Sequence, residues 1–138
     1  MPAELKDRIA LMPGGEQVNL CFLCGTCTAG CPVSLLDPDY NPRKIMRMIS
    51  LGMEKELLSS PELWLCSQCH ICVAHCPQDV RFADVMRVLR QMALEQGYVT
   101  DEFVQEFNQL EDEIKKQRIN KIREFINNNR SVIMQKVE

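Results

Sequence analysis

Apolar residues recur at helical spacing in three stretches of this chain, and no stretch alternates apolar and polar residues as a half-buried strand would. In the first, Ile45, Met46, Met48 and Ile49 share a face. Asn41 stands where an N-cap is needed, Pro42 suits the first helical position, and Gly52 is a stop signal. In the second, Phe82, Val85, Met86, Leu89, Met92 and Ala93 fall at i, i+3, i+4 spacing, with Asp79 as the expected cap and Gly97 as the end. The third follows Thr100, another cap, and Phe103, Phe107, Leu110 and Ile114 line one side of it. The pattern predicts an all-α protein.

Shorter signals join these helices. Pro13-Gly14-Gly15 marks a turn in the N-terminal stretch that runs to about Val18. Leu36 to Tyr40 reads as irregular, and Glu54 to Leu58 as one further helical turn. Ser60-Pro61 caps a short helix through Glu62, Leu63 and Trp64.

The cysteines sit between the helices, spaced Cys21-x-x-Cys24-x-x-Cys27-x-x-x-Cys31-Pro32 and again Cys66-x-x-Cys69-x-x-Cys72-x-x-x-Cys76-Pro77. This is the ligand run of proteins that hold two [4Fe–4S] clusters. Thiolates two residues apart on a tight loop reach neighbouring corners of a cubane, while the fourth corner faces away. In two-cluster ferredoxins the fourth cysteine of the other motif meets it. The expected sets are therefore Cys21, Cys24, Cys27 and Cys76 for one cluster, and Cys66, Cys69, Cys72 and Cys31 for the other. Pro32 and Pro77 fix φ and turn the chain after each crossing ligand. Gly25 and Gly30 are the expected positive-φ positions of the first loop.

Other uses of eight cysteines fit less well. A disulfide framework needs an oxidising compartment, and no apolar signal stretch opens the chain. Zinc would be satisfied by two C-x-x-C pairs, which leaves the third cysteine and the Cys-Pro of each motif unexplained. The net charge of −3 and pI near 5.5 count against a nucleic-acid partner. No apolar run approaches the roughly 20 residues needed to span a bilayer. Thiols that must stay reduced until loaded point to the cytoplasm.

The motifs repeat at an offset of 45, from Cys21 to Cys66, while Ile45 to Ile49 resembles Val85 to Leu89 at an offset of 40. The first half thus carries five extra residues, expected in a loop at Asp37 to Tyr40. Two motif-plus-helix halves exchanging fourth ligands would give a pseudo-twofold core over residues 1–98. Residues 99–138 form a separate helical extension. It holds six acidic residues between 101 and 113, then Lys115, Lys116, Arg118, Lys121 and Arg123, an order that suits the helix dipole. Glu111–Lys115 and Asp112–Lys116 are expected i,i+4 pairs, and Asn127 to Asn129 the end. The extension reads either as a solvated helix or as a docking arm.

The stretch Cys-Phe-Leu-Cys-Gly-Thr-Cys-Thr-Ala-Gly-Cys-Pro, with Pro42-Arg43-Lys44-Ile45 and Leu63-Trp64-Leu65-Cys66, resembles the C subunit of heterodisulfide reductase. The resemblance implies an α-helical ferredoxin fold and an electron relay with two [4Fe–4S] clusters. It implies partners too: a flavin-bearing A-type subunit, and a B-type subunit with Cys-Cys-Gly motifs where a disulfide is reduced. In related complexes a hydrogenase or formate dehydrogenase module is joined. No two cysteines are adjacent here and no G-x-G-x-x-G turn is present, so catalysis by this chain alone is not expected. An alternative is the iron–sulfur subunit of a quinone- or dehydrogenase-linked oxidoreductase, and a third reading is a redox sensor. Thr26, Thr28 and Ser67 are candidate donors to cluster sulfurs, and Trp64 is expected over the second cluster. His70 and His75 are expected as non-ligands.

Overall fold

Asn41 accepts a hydrogen bond from the Lys44 N–H at 3.1 Å, and Pro42 opens the helix behind it. The computed structural model describes residues 4–133. Helix α4 (Pro42–Ser50) buries Ile45, Met46 and Ile49, with Met48 at the edge, and Gly52 turns the chain at φ 68°. Short α5 (Glu54–Leu58) buries Leu57 and Leu58. The capped turn at Ser60-Pro61 is a 3₁₀ helix, Pro61–Trp64. Helix α7 (Phe82–Glu95) buries all six residues of its periodic face together with Ala83 and Val88. Each such large apolar side chain contributes about 1.5–3 kcal/mol on burial.

The start of α7 differs from the sequence expectation. Asp79 is not its cap: the helix begins at Phe82, behind Arg81 in the left-handed region at φ 62°, and Asp79 is itself left-handed at φ 52°. Two such turns let both Val80 and Phe82 point into the core. Asp84 serves the first turn instead, accepting from Arg81 Nε at 2.7 Å.

An N-terminal helix, α1 (Leu5–Ala10), has no counterpart among the expected elements. Two anchors, Leu5 and Ile9, are too few for a visible period, and packing against α4 and α7 holds it. Arg8 pairs with Glu54 of α5, which also accepts from Gln96 Nε2 at 2.8 Å. The turn after α1 needs Gly15, because a Cβ there would lie 2.1 Å from the Ile9 carbonyl oxygen. Val18–Leu20 follows as a 3₁₀ turn.

The sequence repeat is a backbone repeat. Leu23 and Gln68 are both left-handed, at φ 59° and 56°, as are Gly25 and His70, at 84° and 63°. Helices α2 (Thr26–Ala29) and α6 (Ile71–His75) follow and pack on each other. Gly30, expected at positive φ, has φ −97°. The extra residues of the first half are not only a loop, since Pro32–Leu36 forms helix α3 ahead of the turn to Tyr40.

The chain divides into two compact units, Met1–Tyr98 and Val99–Glu138. In the second, Thr100 Oγ1 accepts from the Phe103 N–H at 3.1 Å and caps α8 (Asp101–Asn128), and α9 (Arg130–Ile133) follows Asn129. No residue of α8 is buried, and the Phe103 and Phe107 rings stack with centroids 6.5 Å apart. The expected Glu111–Lys115 and Asp112–Lys116 ion pairs do not form; exposed pairs of this kind contribute only a few tenths of a kcal/mol. Among the described residues there is no strand, and no helix is long and apolar enough to cross a membrane.

Candidate metal centre

Packing α2 against α6 brings the two motif loops together, and each cysteine that precedes a proline crosses to the other side. Cys31 and Cys76 share one extended conformation, with φ/ψ of −76°/119° and −69°/120°. As a result, one hollow is lined by Cys21, Cys24, Cys27 and Cys76 and walled by Phe22, Met46, Val80 and Phe82. A second is lined by Cys66, Cys69, Cys72 and Cys31 and walled by Tyr40, Phe82 and Ala83. Each hollow takes three thiols from one motif and the fourth from the other.

All eight cysteines are free thiols. Cys24 and Cys69, at equivalent points of the repeat, are exposed, Cys66 is buried, and the rest are half-buried. Among the described residues no three His, Cys, Asp or Glu side chains gather closely enough to hold a single ion. The thiols border apolar hollows instead, an arrangement that fits a compact inorganic group with separate metal corners.

Burial acts on three of the thiols. It raises Cys21 and Cys27, and pushes Cys72 up to about 11. Cys24 on the rim goes the other way, lowered chiefly by the Thr26 hydroxyl, whose oxygen stands 3.2 Å from its sulfur. Leu23 and Val80 donate backbone N–H groups to the sulfurs of Cys21 and Cys76 at 3.4 and 3.5 Å. Gln68 Nε2 donates to Cys66 Sγ at 3.4 Å and to the Ala83 carbonyl at 3.1 Å.

Of the three hydroxyls singled out in the sequence, Thr26 reaches a thiol and Ser67 borders the second hollow. Thr28 acts on the Cys27 thiol, lowering it against the effect of burial, and serves the fold as well. It donates to Asn41 Oδ1 at 3.0 Å and accepts from the Arg43 N–H at 2.9 Å, tying α2 to α4. Trp64 lies outside the lining of the second hollow, beneath the Arg90 guanidinium at 5.3 Å. His75 lies outside both linings, whereas His70 borders the second hollow. The residues that sequence reasoning passed over are Tyr40, Arg43, Gln68, Val80 and Arg90. Only Tyr40 and Val80 carried a signal, each standing two residues ahead of a long helix.

Residues 20–81 match the family model described as a 4Fe-4S dicluster domain. Over these residues the chain is similar to that family. Among curated proteins, the chain is 38% identical over 86 residues to the C subunit of the H2:CoB-CoM heterodisulfide, ferredoxin reductase of Methanothermobacter thermautotrophicus, covering 62% of this chain and 46% of the relative. It is 40% identical over 82 residues to the iron-sulfur C subunit of the CoB–CoM heterodisulfide reductase of Methanopyrus kandleri, covering 59% and 42%. It is 34% identical over 95 residues to the C subunit of the ferredoxin:CoB-CoM heterodisulfide reductase of Methanosarcina acetivorans, covering 69% and 38%. The matched segment thus spans less than half the length of each of these relatives. Within it, the likeness to the heterodisulfide reductase C subunits holds.

Proposed function

We propose that this chain is an electron-relay subunit of a heterodisulfide reductase-like complex and holds two [4Fe–4S] clusters. One is ligated by Cys21, Cys24, Cys27 and Cys76, the other by Cys66, Cys69, Cys72 and Cys31. The observation that carries the reading is the crossed lining of the two hollows, four thiols to each. When bound, such clusters supply one-electron storage at potentials that the protein tunes.

The chain's own residues do the rest. Phe82 borders both hollows, so one apolar ring separates two sites that share a wall and keeps water from between them. Exposed Cys24 and Cys69 bring each site to the surface, where a partner's redox group can approach. Leu20 and Phe22 beside the first, and Leu65 and Ile71 beside the second, are exposed as well. Burial keeps the deeper thiols protonated until metal arrives, so loading releases protons.

The partners are a flavin-bearing A-type subunit and a B-type subunit with Cys-Cys-Gly motifs, with a hydrogenase or formate dehydrogenase module as a further source of electrons. The chain works in the cytoplasm, takes no nucleic acid, and has no catalytic activity alone. The test is anoxic purification from the native source. Iron and sulfide analysis, reduced-state EPR and identification of the co-purifying subunits give the readout. Two clusters per chain and a co-purifying flavoprotein support the reading. Zinc, a single cluster, or a chain that purifies alone with its own disulfide reductase activity would sink it.

A further inference from the structure

Tyr40 stands two residues ahead of Pro42, where α4 begins, and Val80 two residues ahead of Phe82, where α7 begins. They are equivalent points of the repeat. Both are buried, at 1% and 3% exposure. Tyr40 lines the hollow of Cys66, Cys69, Cys72 and Cys31, and Val80 lines the other. The same position of the fold therefore presents a phenol to one set of thiols and two methyl groups to its counterpart.

Tyr40 lines its hollow together with Cys66, the buried one of the eight thiols, so a buried phenol stands among their sulfurs. Its backbone is pinned by Ser34 Oγ, which donates to the Tyr40 carbonyl at 2.6 Å. The first site has donors of its own: the backbone groups of Leu23 and Val80, the Thr26 hydroxyl at the exposed rim, and Thr28, which lowers the Cys27 thiol. At the buried position equivalent to Tyr40, the valine side chain donates nothing. A hydrogen bond to a ligating sulfur withdraws charge from it and favours the reduced state.

We propose that Tyr40 is a tuning residue, whose hydroxyl raises the reduction potential of the cluster on Cys66, Cys69, Cys72 and Cys31 and so makes two repeat-related sites unequal. This rests on the two-cluster reading above. Electrons then settle preferentially on the second site, and the Tyr40/Val80 pair gives the relay a direction.

The test uses the full chain, loaded anoxically and titrated potentiometrically with EPR detection. The wave of the second site is identified as the one missing from Cys31→Ala. Tyr40→Phe keeps the ring and removes the donor. It should lower that wave alone by about tenfold in the electron-sharing equilibrium, ~59 mV for a one-electron couple. In a Tyr98→Phe background Tyr40 is the sole remaining tyrosine. There, 3-fluorotyrosine strengthens the donor and should raise the same wave. Two clusters with that wave unmoved in both proteins would overturn the role of Tyr40 and leave the relay standing. A wild-type chain with one cluster or none overturns both. If Tyr40→Phe fails to hold the second cluster, the fluorotyrosine protein decides: an upward shift supports the proposal and an unmoved wave defeats it.

Discussion

Arg90 Nη2 donates to the Cys66 carbonyl at 2.9 Å, across 24 residues of sequence. Its Nε donates to the Leu63 carbonyl at 2.7 Å, and the guanidinium lies 5.3 Å from the centroid of Trp64. One side chain on α7 thus holds the whole lead-in to the second motif. Arg43 does comparable work for the first, donating Nε to the Leu23 carbonyl at 2.7 Å. Hydrogen bonds from a charged donor contribute about 1.5–3 kcal/mol each, and a lysine has no planar fork with which to make two. Arg90→Lys should therefore speed loss of the second cluster to chelator while the first persists, as followed by EPR. Equal loss from both sites would show that Arg90 acts on the fold as a whole.

Crossed ligation predicts crossed damage. Cys76→Ala should impair the site of Cys21, Cys24 and Cys27, and Cys31→Ala that of Cys66, Cys69 and Cys72. Iron content should fall from about eight toward about four per chain in either variant. Damage confined to the mutated cysteine's own motif would refute the assignment.

Gly15 and Gly52 separate crowding from backbone strain. A Cβ on Gly15 meets the Ile9 carbonyl oxygen at 2.1 Å, so Gly15→Ala should displace α1 and cost about 1–3 kcal/mol, the usual range for overpacking. Gly52 has open space around it but φ 68°, so Gly52→Ala should cost only the ~1–2 kcal/mol of a left-handed residue. Thermal unfolding of the loaded chain checks both. Only Gly15→Ala should also expose α1 to proteolysis.

Arg8 holds the Glu54 carboxyl below the usual carboxylate range, with a further contribution from Gln96. A depressed carboxylate contributes stability that is full above its unfolded value and is lost as pH falls through the folded one. Protection of the α1 amides against hydrogen exchange, corrected for intrinsic rate, should therefore drop as acid is added. In Glu54→Gln the protection should start lower and vary less with pH. Identical profiles in the two proteins would remove the ion pair from the account of α1.

The second unit can be tested by deletion. A chain ending at Tyr98 should retain both clusters, because every thiol and both hollows lie in the first unit. It should assemble less well with its partner subunits, since α8 keeps Phe103, Leu110 and Ile114 exposed along one side. Pull-down with tagged partners measures this, and undiminished recovery would exclude α8 as a docking arm.

Helices α4 and α8 were legible because each couples a capping residue to an apolar period, and α7 because its apolar period is long, signals that are local in sequence. Cap and period fail separately: Asp79 looked like a cap, but the two left-handed residues that bury Val80 and Phe82 moved the start of α7 past it. Helices α1 and α3 were not legible, because helices of six and five residues carry too few apolar positions to form a pattern.

The sequence by itself determined the ligand types, their spacing and the repeat, since covalent distance along a loop limits which thiols can meet one group. It also determined that the chain is helical. Only the tertiary structure decided which buried groups face the thiols. Tyr40 precedes Cys66 by 26 positions in sequence and Ala83 follows it by 17, yet both line the hollow that Cys66 borders. That convergence depends on how α4 and α7 pack about the motif loops. Packing is a sum over distant contacts, and no local stretch of sequence contains it.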